Sequence, residues 1–456
     1  MNPDFPLSRR HFLGAALAAP WCRRLACLDP AGEPPAPRPR CEPPPRTDKA
    51  PKKIAVVTTA YYYLSHAYHV CGRFLNGYLR GGKMHYPDFG IAGMYVEQQA
   101  PNDLSKEHSH KHGFPLYPDI GSALTLGGDK LAVDGVLLIG EHGDYPMNEK
   151  MQKLYPRYEY FQKIVEVFQK SGRTVPVFCD KHLSYDRKMA REMADTARRV
   201  GVPLMAGSSL PITWRRPELE LPLGVQLEGA IVASRGEMEI YGIHALEALQ
   251  CMVERRAASG GRQPPDGALH QGVTAVRCLE GDAVWKAGDD GLWSWDLLDA
   301  ALARSPSLNV GDIRDNCRQF VPPPNRPTFP TGPLAFLVEY RDGFKAAALL
   351  LNGHVDDTTF AAKLADEKKP ASTLFDLPAP PGAGFLQALA IKIEDFLATG
   401  KPSQPLERTL LTGGILDVAL EARISKVKRL VPSDLDIAYE APKESGFLRG
   451  GYNDTP

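Results

Sequence analysis

The sequence predicts an α/β fold whose N-terminal part contains a doubly wound parallel sheet. Between Lys53 and Gly207, short apolar runs rich in β-branched residues alternate with segments of helical periodicity. Strands and helices that alternate in this way form a parallel sheet with right-handed crossovers and helices on both faces. The chain of 456 residues is long enough for a second domain after it.

The predicted elements of the first domain follow in a regular order. Strands are expected at residues 53–57, 90–96, 133–139, 175–179 and 202–206. Helices are expected at residues 64–79, 119–126, 149–170 and 184–200. Ser184 is the expected N-cap of the last helix, and Gly201 is its expected end.

Composition excludes several classes of partner. Lys plus Arg equals Asp plus Glu at 54 each, so the chain offers no electrostatic reason to bind nucleic acid or an anionic membrane. No segment has the apolar length of a transmembrane helix. The eight cysteines contain no C-x-x-C pair, which argues against a zinc ribbon and against a dense disulfide framework.

The N-terminus resembles a twin-arginine export signal. Ser8-Arg9-Arg10-His11-Phe12-Leu13 is followed by an Ala-rich segment too short to span a bilayer. We therefore expect a signal peptide at residues 1–28 and a periplasmic or otherwise exported mature protein. Residues 29–52 are rich in proline and are expected to form an extended linker.

Polar residues follow two of the predicted strands. Asp180-Lys181-His182 comes directly after one strand, and Glu141-His142-Gly143-Asp144 comes after another. In open α/β sheets, ligands bind at the carboxyl ends of the strands. Lys181 is therefore the first candidate for chemistry, and Glu141, His142 and Asp144 are expected to line the same site.

These segments resemble the nucleotide-binding domain of the Gfo/Idh/MocA oxidoreductase family. In that family a strand ending in Glu-Lys-Pro precedes a helix and a strand similar to GVPLMVG, and the counterparts here are Asp180-Lys181-His182 and residues 201–207. Residues 112–117 and 132–136 are similar to two further family segments. The resemblance implies a Rossmann-type domain at 53–212, NAD or NADP as cofactor, and Lys181 as the catalytic or substrate-binding lysine.

The first strand–helix turn departs from the family pattern. The family has G-x-G-x-x-G or A there, because glycines let the backbone approach the diphosphate of the cofactor. This chain has Thr58-Thr59-Ala60-Tyr61-Tyr62-Tyr63-Leu64-Ser65, without glycine. The tyrosines are expected to fill or reshape the space of the diphosphate. The residues predicted to bind the cofactor are Thr58, Thr59, Asp180 and Glu141.

The second domain is expected at residues 213–430, with a tail at 431–456. Residues 241–249 resemble the family segment D-x-G-x-H-x-x-D, and His244 matches the histidine that reaches the substrate. Residues 335–340 and 344–351 look like a hairpin of the open, mainly antiparallel sheet of the family's α+β domain. The resemblance also implies a homo-oligomer formed through this sheet. Trp285, Trp293 and Trp295 are expected in the core, with a carbohydrate-stacking wall as the alternative.

Histidines suggest a metal as an alternative. His66 and His69 share a helix face, while His108, His110 and His112 alternate in a predicted loop. Imidazole and carboxylate groups bind zinc, iron or manganese. The spacing matches no metal motif, so no residue is assigned as a metal ligand and a transition metal stays an alternative cofactor.

The leading hypothesis is an exported oxidoreductase acting on a sugar or polyol derivative. Lys181 and His244 would transfer protons or polarise the substrate, and His142 or Asp144 would assist. One alternative is a non-redox lyase or hydrolase, with or without a metal, that uses the same groups. Another is an inert ligand-binding protein that has lost NAD(P).

Overall fold

The computed structural model describes residues 50–258, 271–324, 326–378 and 384–452. The predicted export signal, almost all of the predicted linker, and Cys22, Cys27 and Cys41 lie outside the described residues.

The N-terminal strands are β1 (Lys52–Ala60), β2 (Tyr78–Arg80), β3 (Lys83–His85), β4 (Phe89–Gln98), β5 (Gly135–Ile139), β6 (Val177–Asp180) and β7 (Leu204–Gly207). Five of them form a sheet in the order β4-β1-β5-β6-β7, and every neighbouring pair in it is parallel. The predicted parallel sheet is confirmed. Because the five strands run in one direction, their carboxyl ends share one edge, with β1 between β4 and β5.

Helices cover both faces of this sheet. They are α1 (His66–Asn76), α2 (Ser105–His112), α3 (Ile120–Thr125), α4 (Arg157–Ser171) and α5 (Arg187–Val200). Successive side chains of β1 point to opposite faces, so Val56 packs in one core with Phe74 of α1 and Val57 packs in another with Ile164 of α4. The sheet is therefore doubly wound, as predicted.

Three predictions of local structure differ from the fold. Helix α4 begins at Arg157 and not at 149, because Pro156 has no N–H to donate inside a helix and lies at its N-cap. Asp186, and not Ser184, caps α5 by accepting hydrogen bonds from two backbone N–H groups of the first turn. The predicted loop with alternating histidines forms helix α2.

The C-terminal strands are β8 (Trp214–Arg216), β9 (Leu227–Ser234), β10 (Val273–Glu280), β11 (Leu334–Tyr340), β12 (Lys345–Leu350), β13 (Thr358–Leu364) and β14 (Ala371–Asp376). They form a sheet in the order β10-β11-β12-β9-β13-β14-β8. In this sheet β12 and β9 pair in parallel, and the other neighbours pair antiparallel. The predicted open, mainly antiparallel sheet and its β11–β12 hairpin are confirmed.

The remaining helices are α6 (Gly242–Val253), α7 (Asp282–Asp289), α8 (Trp295–Leu302), α9 (Ile313–Gln319), α10 (Gly384–Thr399) and α11 (Leu406–Ser425). Helices α6 and α11 pack on one face of the second sheet, whereas α7 and α8 pack on the other, where Trp285 and Trp293 are buried. Helix α10 returns to the first sheet, where Ile393 packs in the same core as Val56. These tryptophans therefore belong to the core, and both faces of the second sheet are covered by this chain.

No helix within the described ranges combines the length and apolarity needed to cross a bilayer. The five cysteines of the described residues, Cys71, Cys179, Cys251, Cys278 and Cys317, are free thiols.

Candidate active site at the carboxyl edge of the parallel sheet

The carboxyl ends of β5 and β6 bring together most of the predicted polar residues. Glu141 and His142 follow β5, and Lys181 follows Asp180, the last residue of β6. Glu141, Asp180 and Lys181 are each no more than 3% exposed. Charged side chains rarely lie this deep without partners, so the contacts among them decide what the site can do.

Lys181 and Arg157 share one carboxylate. The Nζ atom of Lys181 lies 3.1 Å from Oε1 of Glu141, and Nη2 of Arg157 donates to the same oxygen. Burial alone would raise the pKa of Glu141, but Lys181 and then Arg157 outweigh it and hold that pKa well below its usual range. Glu141 is therefore ionised, and it fixes the position of Lys181.

The backbone at this edge is strained. Six described residues other than glycine have a positive φ, and three of them lie here: Leu64 (67°), His142 (70°) and Lys181 (56°). Each such residue costs about 1–3 kcal/mol and persists only where its surroundings hold it. The Lys181 carbonyl, for example, accepts a 2.9 Å hydrogen bond from the backbone of Gly207. Strain of this kind clusters at functional sites.

His66 and Asp180 form a pair that the sequence did not indicate. Nδ1 of His66 lies 2.7 Å from Oδ2 of Asp180. Burial tends to raise the pKa of Asp180, but the neighbouring His66 and its hydrogen bond lower it. The His66 side chain is 24% exposed, while that of Asp180 is 3% exposed. The pair therefore combines a buried carboxylate with an accessible imidazole.

His244 and His142 are held neutral. Ser208 directly follows β7, and its hydroxyl oxygen lies 2.5 Å from Nδ1 of His244. Burial, followed by the nearby Lys181 and His66, lowers the pKa of His244 to about 3. Burial and His66 lower the pKa of His142 to about 4. Both rings are thus uncharged near pH 7, where they can polarise a substrate hydroxyl or carbonyl.

His182 forms a second pair that crosses between the two sheets. Its Nε2 atom lies 3.1 Å from Oε1 of Glu239, which precedes α6, and both side chains are at most 4% exposed. In the sequence, His182 stands at the position where the resembling family has proline. Its partner lies 57 residues away, so no local pattern could have found it.

Three of the predicted site residues, Thr58, Thr59 and Asp144, do not join the hydrogen bonds and ion pairs of the buried charged side chains. The hydroxyl of Thr58 donates to the carbonyls of Ile139 (2.9 Å) and Ala60 (3.1 Å). The hydroxyl of Thr59 donates to the carbonyl of Glu141 at 2.7 Å. These bonds join the end of β1 to the end of β5. Asp144 is exposed, and its backbone, not its carboxylate, is bound by neighbouring residues.

The β1–α1 turn does not fit the diphosphate of a nicotinamide dinucleotide. Tyr61 is completely buried in it, and its hydroxyl lies 2.9 Å from Nδ1 of His108. The Ser65 side chain accepts hydrogen bonds from the backbone N–H groups of Tyr68 (3.1 Å) and Tyr62 (3.2 Å). A diphosphate needs glycine backbone and free helix N–H groups at this place. The described residues also contain no group of three or more His, Cys, Asp or Glu side chains arranged to hold a metal ion.

The two neutral histidines predict a pH dependence of stability. Their folded pKa values lie below the ordinary 6.5, so the unfolded chain binds their protons first and stability is lost as the pH falls below about 6.5. The His142→Gln/His244→Gln variant should take up fewer protons on unfolding, and the difference should grow to roughly two protons as the pH falls from 7 to 5. Urea unfolding at several pH values measures this number. An unchanged pH slope would contradict the prediction.

The carboxylates act in another pH window. The folded pKa values of Glu141 and Asp180 are depressed, so their contribution is present above the ordinary values of 4.5 and 3.8 and is lost only below them. Measurements between pH 7 and pH 5 therefore separate the histidines from the carboxylates.

No family model and no curated protein matches this chain. Several solved structures are similar to it over most of its length. An oxidoreductase from Agrobacterium radiobacter, solved with NAD+, L-tartaric acid and magnesium, is 12% identical, with 83% of this chain and 98% of that chain covered and a TM-score of 0.48. A myo-inositol 2-dehydrogenase from Lactobacillus plantarum is 12% identical, covering 85% and 99% with a TM-score of 0.47. A scyllo-inositol dehydrogenase from Lactobacillus casei is 10% identical, covering 84% and 98% with a TM-score of 0.47.

Proposed function

We propose that the chain is an enzyme of the Gfo/Idh/MocA type that moves protons on a hydroxylated small molecule, a sugar or polyol derivative. The observation that carries this proposal is the meeting of two pairs, Lys181 with Glu141 and His66 with Asp180, at the strained ends of neighbouring strands. The substrate class follows from the resemblance of the segments around Lys181 and His244 to that family. A dehydrogenase and a redox-neutral lyase or hydrolase would both use this proton-transfer machinery.

His66 is the proposed general base. A proton on Nδ1 that is donated to Asp180 leaves Nε2 as the acceptor, and the buried carboxylate fixes the tautomer and orientation of the ring. The partial exposure of His66 lets a substrate reach it. Asp180 therefore acts through His66, as a positioning residue.

Lys181 is the proposed polarising group and acid. Its ammonium group is paired with Glu141, and an ammonium has three N–H donors that can bind a substrate hydroxyl or carbonyl. Nε2 of His142 is buried and has no hydrogen-bond partner among the described residues. A buried polar atom without a partner costs about 1–3 kcal/mol, so a substrate hydroxyl bound there recovers this energy. His244 contributes a second neutral imidazole beside Lys181.

A substrate panel in D₂O tests this function. The full chain is incubated with aldoses, uronic acids, polyols and inositols, with and without NAD(P), and products and carbon-bound deuterium are followed by NMR. We expect turnover or exchange with at least one class, and we expect the His66→Asn variant to lose it. The exposed His110→Asn variant is the matched control. Failure of every class under both conditions would contradict the proposal.

We also propose export through the twin-arginine pathway, on the basis of Arg9 and Arg10 before the Ala-rich segment. Replacing Arg9 and Arg10 with lysine should leave the protein in the cytoplasmic fraction. Equal export of the variant and the wild type on cell fractionation would contradict this part of the proposal.

A further inference from the structure

We propose that the site works without a nicotinamide dinucleotide, because the chain's own residues cover the carboxyl end of β1 where the diphosphate would lie. The inference concerns the site of the proposed function, and its binding test does not depend on turnover. Three sets of contacts carry it: the packing of Tyr61, the chain that follows β4, and a hydrogen-bonded link between the ends of β4 and β5.

Tyr61 takes up the space inside the turn. Its ring packs against the rings of Tyr68, at a centroid distance of 6.2 Å, and His108, at 5.4 Å. The side chain has no exposed surface, and its hydroxyl is satisfied by His108. A diphosphate needs this volume and the neighbouring N–H groups, yet the cap formed by Ser65 already binds the N–H of Tyr68. Binding would require both the aromatic packing and the cap to be given up.

The chain after β4 covers the turn from outside. Leu104 donates its backbone N–H to the carbonyl of Tyr61 at 2.8 Å, and Asp103 forms an antiparallel bridge with Tyr62. These contacts lay the backbone of residues 103–104 along the turn. In dinucleotide-binding sheets the backbone of this turn faces the cofactor. Here it pairs with another segment of the chain.

A link between the ends of β4 and β5 crosses the end of β1. The Gln98 side chain, at the end of β4, accepts from the backbone N–H of Asp144 at 2.7 Å and donates to its carbonyl at 3.0 Å. Beside it, the Tyr145 hydroxyl donates to Glu97. Because β1 lies between β4 and β5, this link must pass over the carboxyl end of β1. The ring of His142 in the same loop also contacts that of Tyr62, at a centroid distance of 5.4 Å.

The consequence for the reaction is a site whose proton donors and acceptors lie beside a β1–α1 turn that is covered and leaves no room for a dinucleotide. Lys181 and His66 lie beside this cover, after β6 and at the start of α1, and His142 belongs to the covering loop and contacts the His66 ring. The substrate is therefore bound in the absence of NAD(P). The reaction transfers protons, and no hydride passes between the substrate and a nicotinamide. Of the two reaction classes that share the proton-transfer groups, the structure favours the redox-neutral one.

Titration calorimetry of the full chain with NAD+, NADH, NADP+ and NADPH tests the inference. We expect no saturable binding up to 1 mM, and no dinucleotide released when the purified protein is denatured and examined by mass spectrometry. Stoichiometric dinucleotide in the purified protein, or one-to-one binding with a Kd below 1 mM, would overturn it. Circular dichroism of the same sample confirms that the titrated protein is folded.

The substrate panel separates this inference from the proposed function. Turnover by dialysed protein without dinucleotide binding supports both. If the protein neither binds a dinucleotide nor turns over a substrate, the inference is supported and the proposed function is overturned. Binding together with turnover that requires NAD(P) overturns the inference and supports a dehydrogenase. Binding without turnover overturns both.

Discussion

The Lys181→Met variant is expected to lose about 10²–10⁴-fold in kcat/KM on whichever substrate of the panel the wild type turns over, the range typical of a proton-transfer group. Methionine keeps the length and apolar stem of lysine but donates no proton. Glu141 keeps Arg157 as a partner, so the buried carboxylate is not left alone. The loss should therefore appear in turnover, and the melting temperature serves as the measure of folding.

The matched control is Lys188→Met. Lys188 is exposed in the first turn of α5, seven positions further along the chain, and lies outside the site. It should keep wild-type kcat/KM. A folded Lys181→Met protein with more than a tenth of wild-type activity would contradict the role of Lys181 in chemistry. Absence of turnover in both the wild type and the variant would favour the inert ligand-binding alternative.

The Arg157→Met variant is expected to lose about 1–3 kcal/mol in the free energy of unfolding, because Glu141 loses one of its two buried cationic partners and keeps only Lys181. The Arg157 side chain has no exposed surface, and it donates to a Glu141 side chain that is 4% exposed. Its guanidinium also stacks over the Tyr155 ring, 5.0 Å from the centroid. Urea unfolding followed by circular dichroism measures the change.

Two comparisons isolate the cause. The Arg157→Met/Glu141→Gln variant removes the carboxylate as well as its partner, so it should recover part of the lost stability. The Arg198→Met variant removes a guanidinium that is 49% exposed and pairs with Asp195 and Glu407, and it should change the free energy of unfolding by less than about 1 kcal/mol. Equal losses at Arg157 and Arg198 would show that burial of the Glu141 pair is not the cause.

Helix bounds illustrate where sequence patterns succeed. Helix α5 was predicted to end at Val200, before Gly201, and it does so in the structure, where Gly201 has a left-handed conformation with a φ of 74°. The periodicity of residues 149–170 was also helical, but Pro156 interrupts it and the helix begins only at Arg157. Helix bounds are therefore predicted correctly where periodicity and the capping residues agree. Where they conflict, as at Pro156, the proline sets the helix start.

The site shows the same division. The polar residues after β5 and β6 were predicted to meet because parallel strands end at one edge, and Glu141 and Lys181 do meet there. The partners from other elements were not predicted: His66 reaches Asp180 across 114 positions, and Ser208 reaches His244 across 36. Such pairs cannot be predicted from periodicity or spacing in the sequence, because the partners are distant along the chain.

By itself, the sequence determined the α/β class, the parallel order of the N-terminal elements, the antiparallel hairpin, and the candidate status of Lys181, because these follow from local apolar periodicity and from where strands end. Only the tertiary structure decided that Asp180 orients His66, that Arg157 shares Glu141 with Lys181, and that Gln98 links β4 to Asp144. The physical reason is that burial and pairing set the charges of these groups, and both depend on contacts between residues that are distant along the chain.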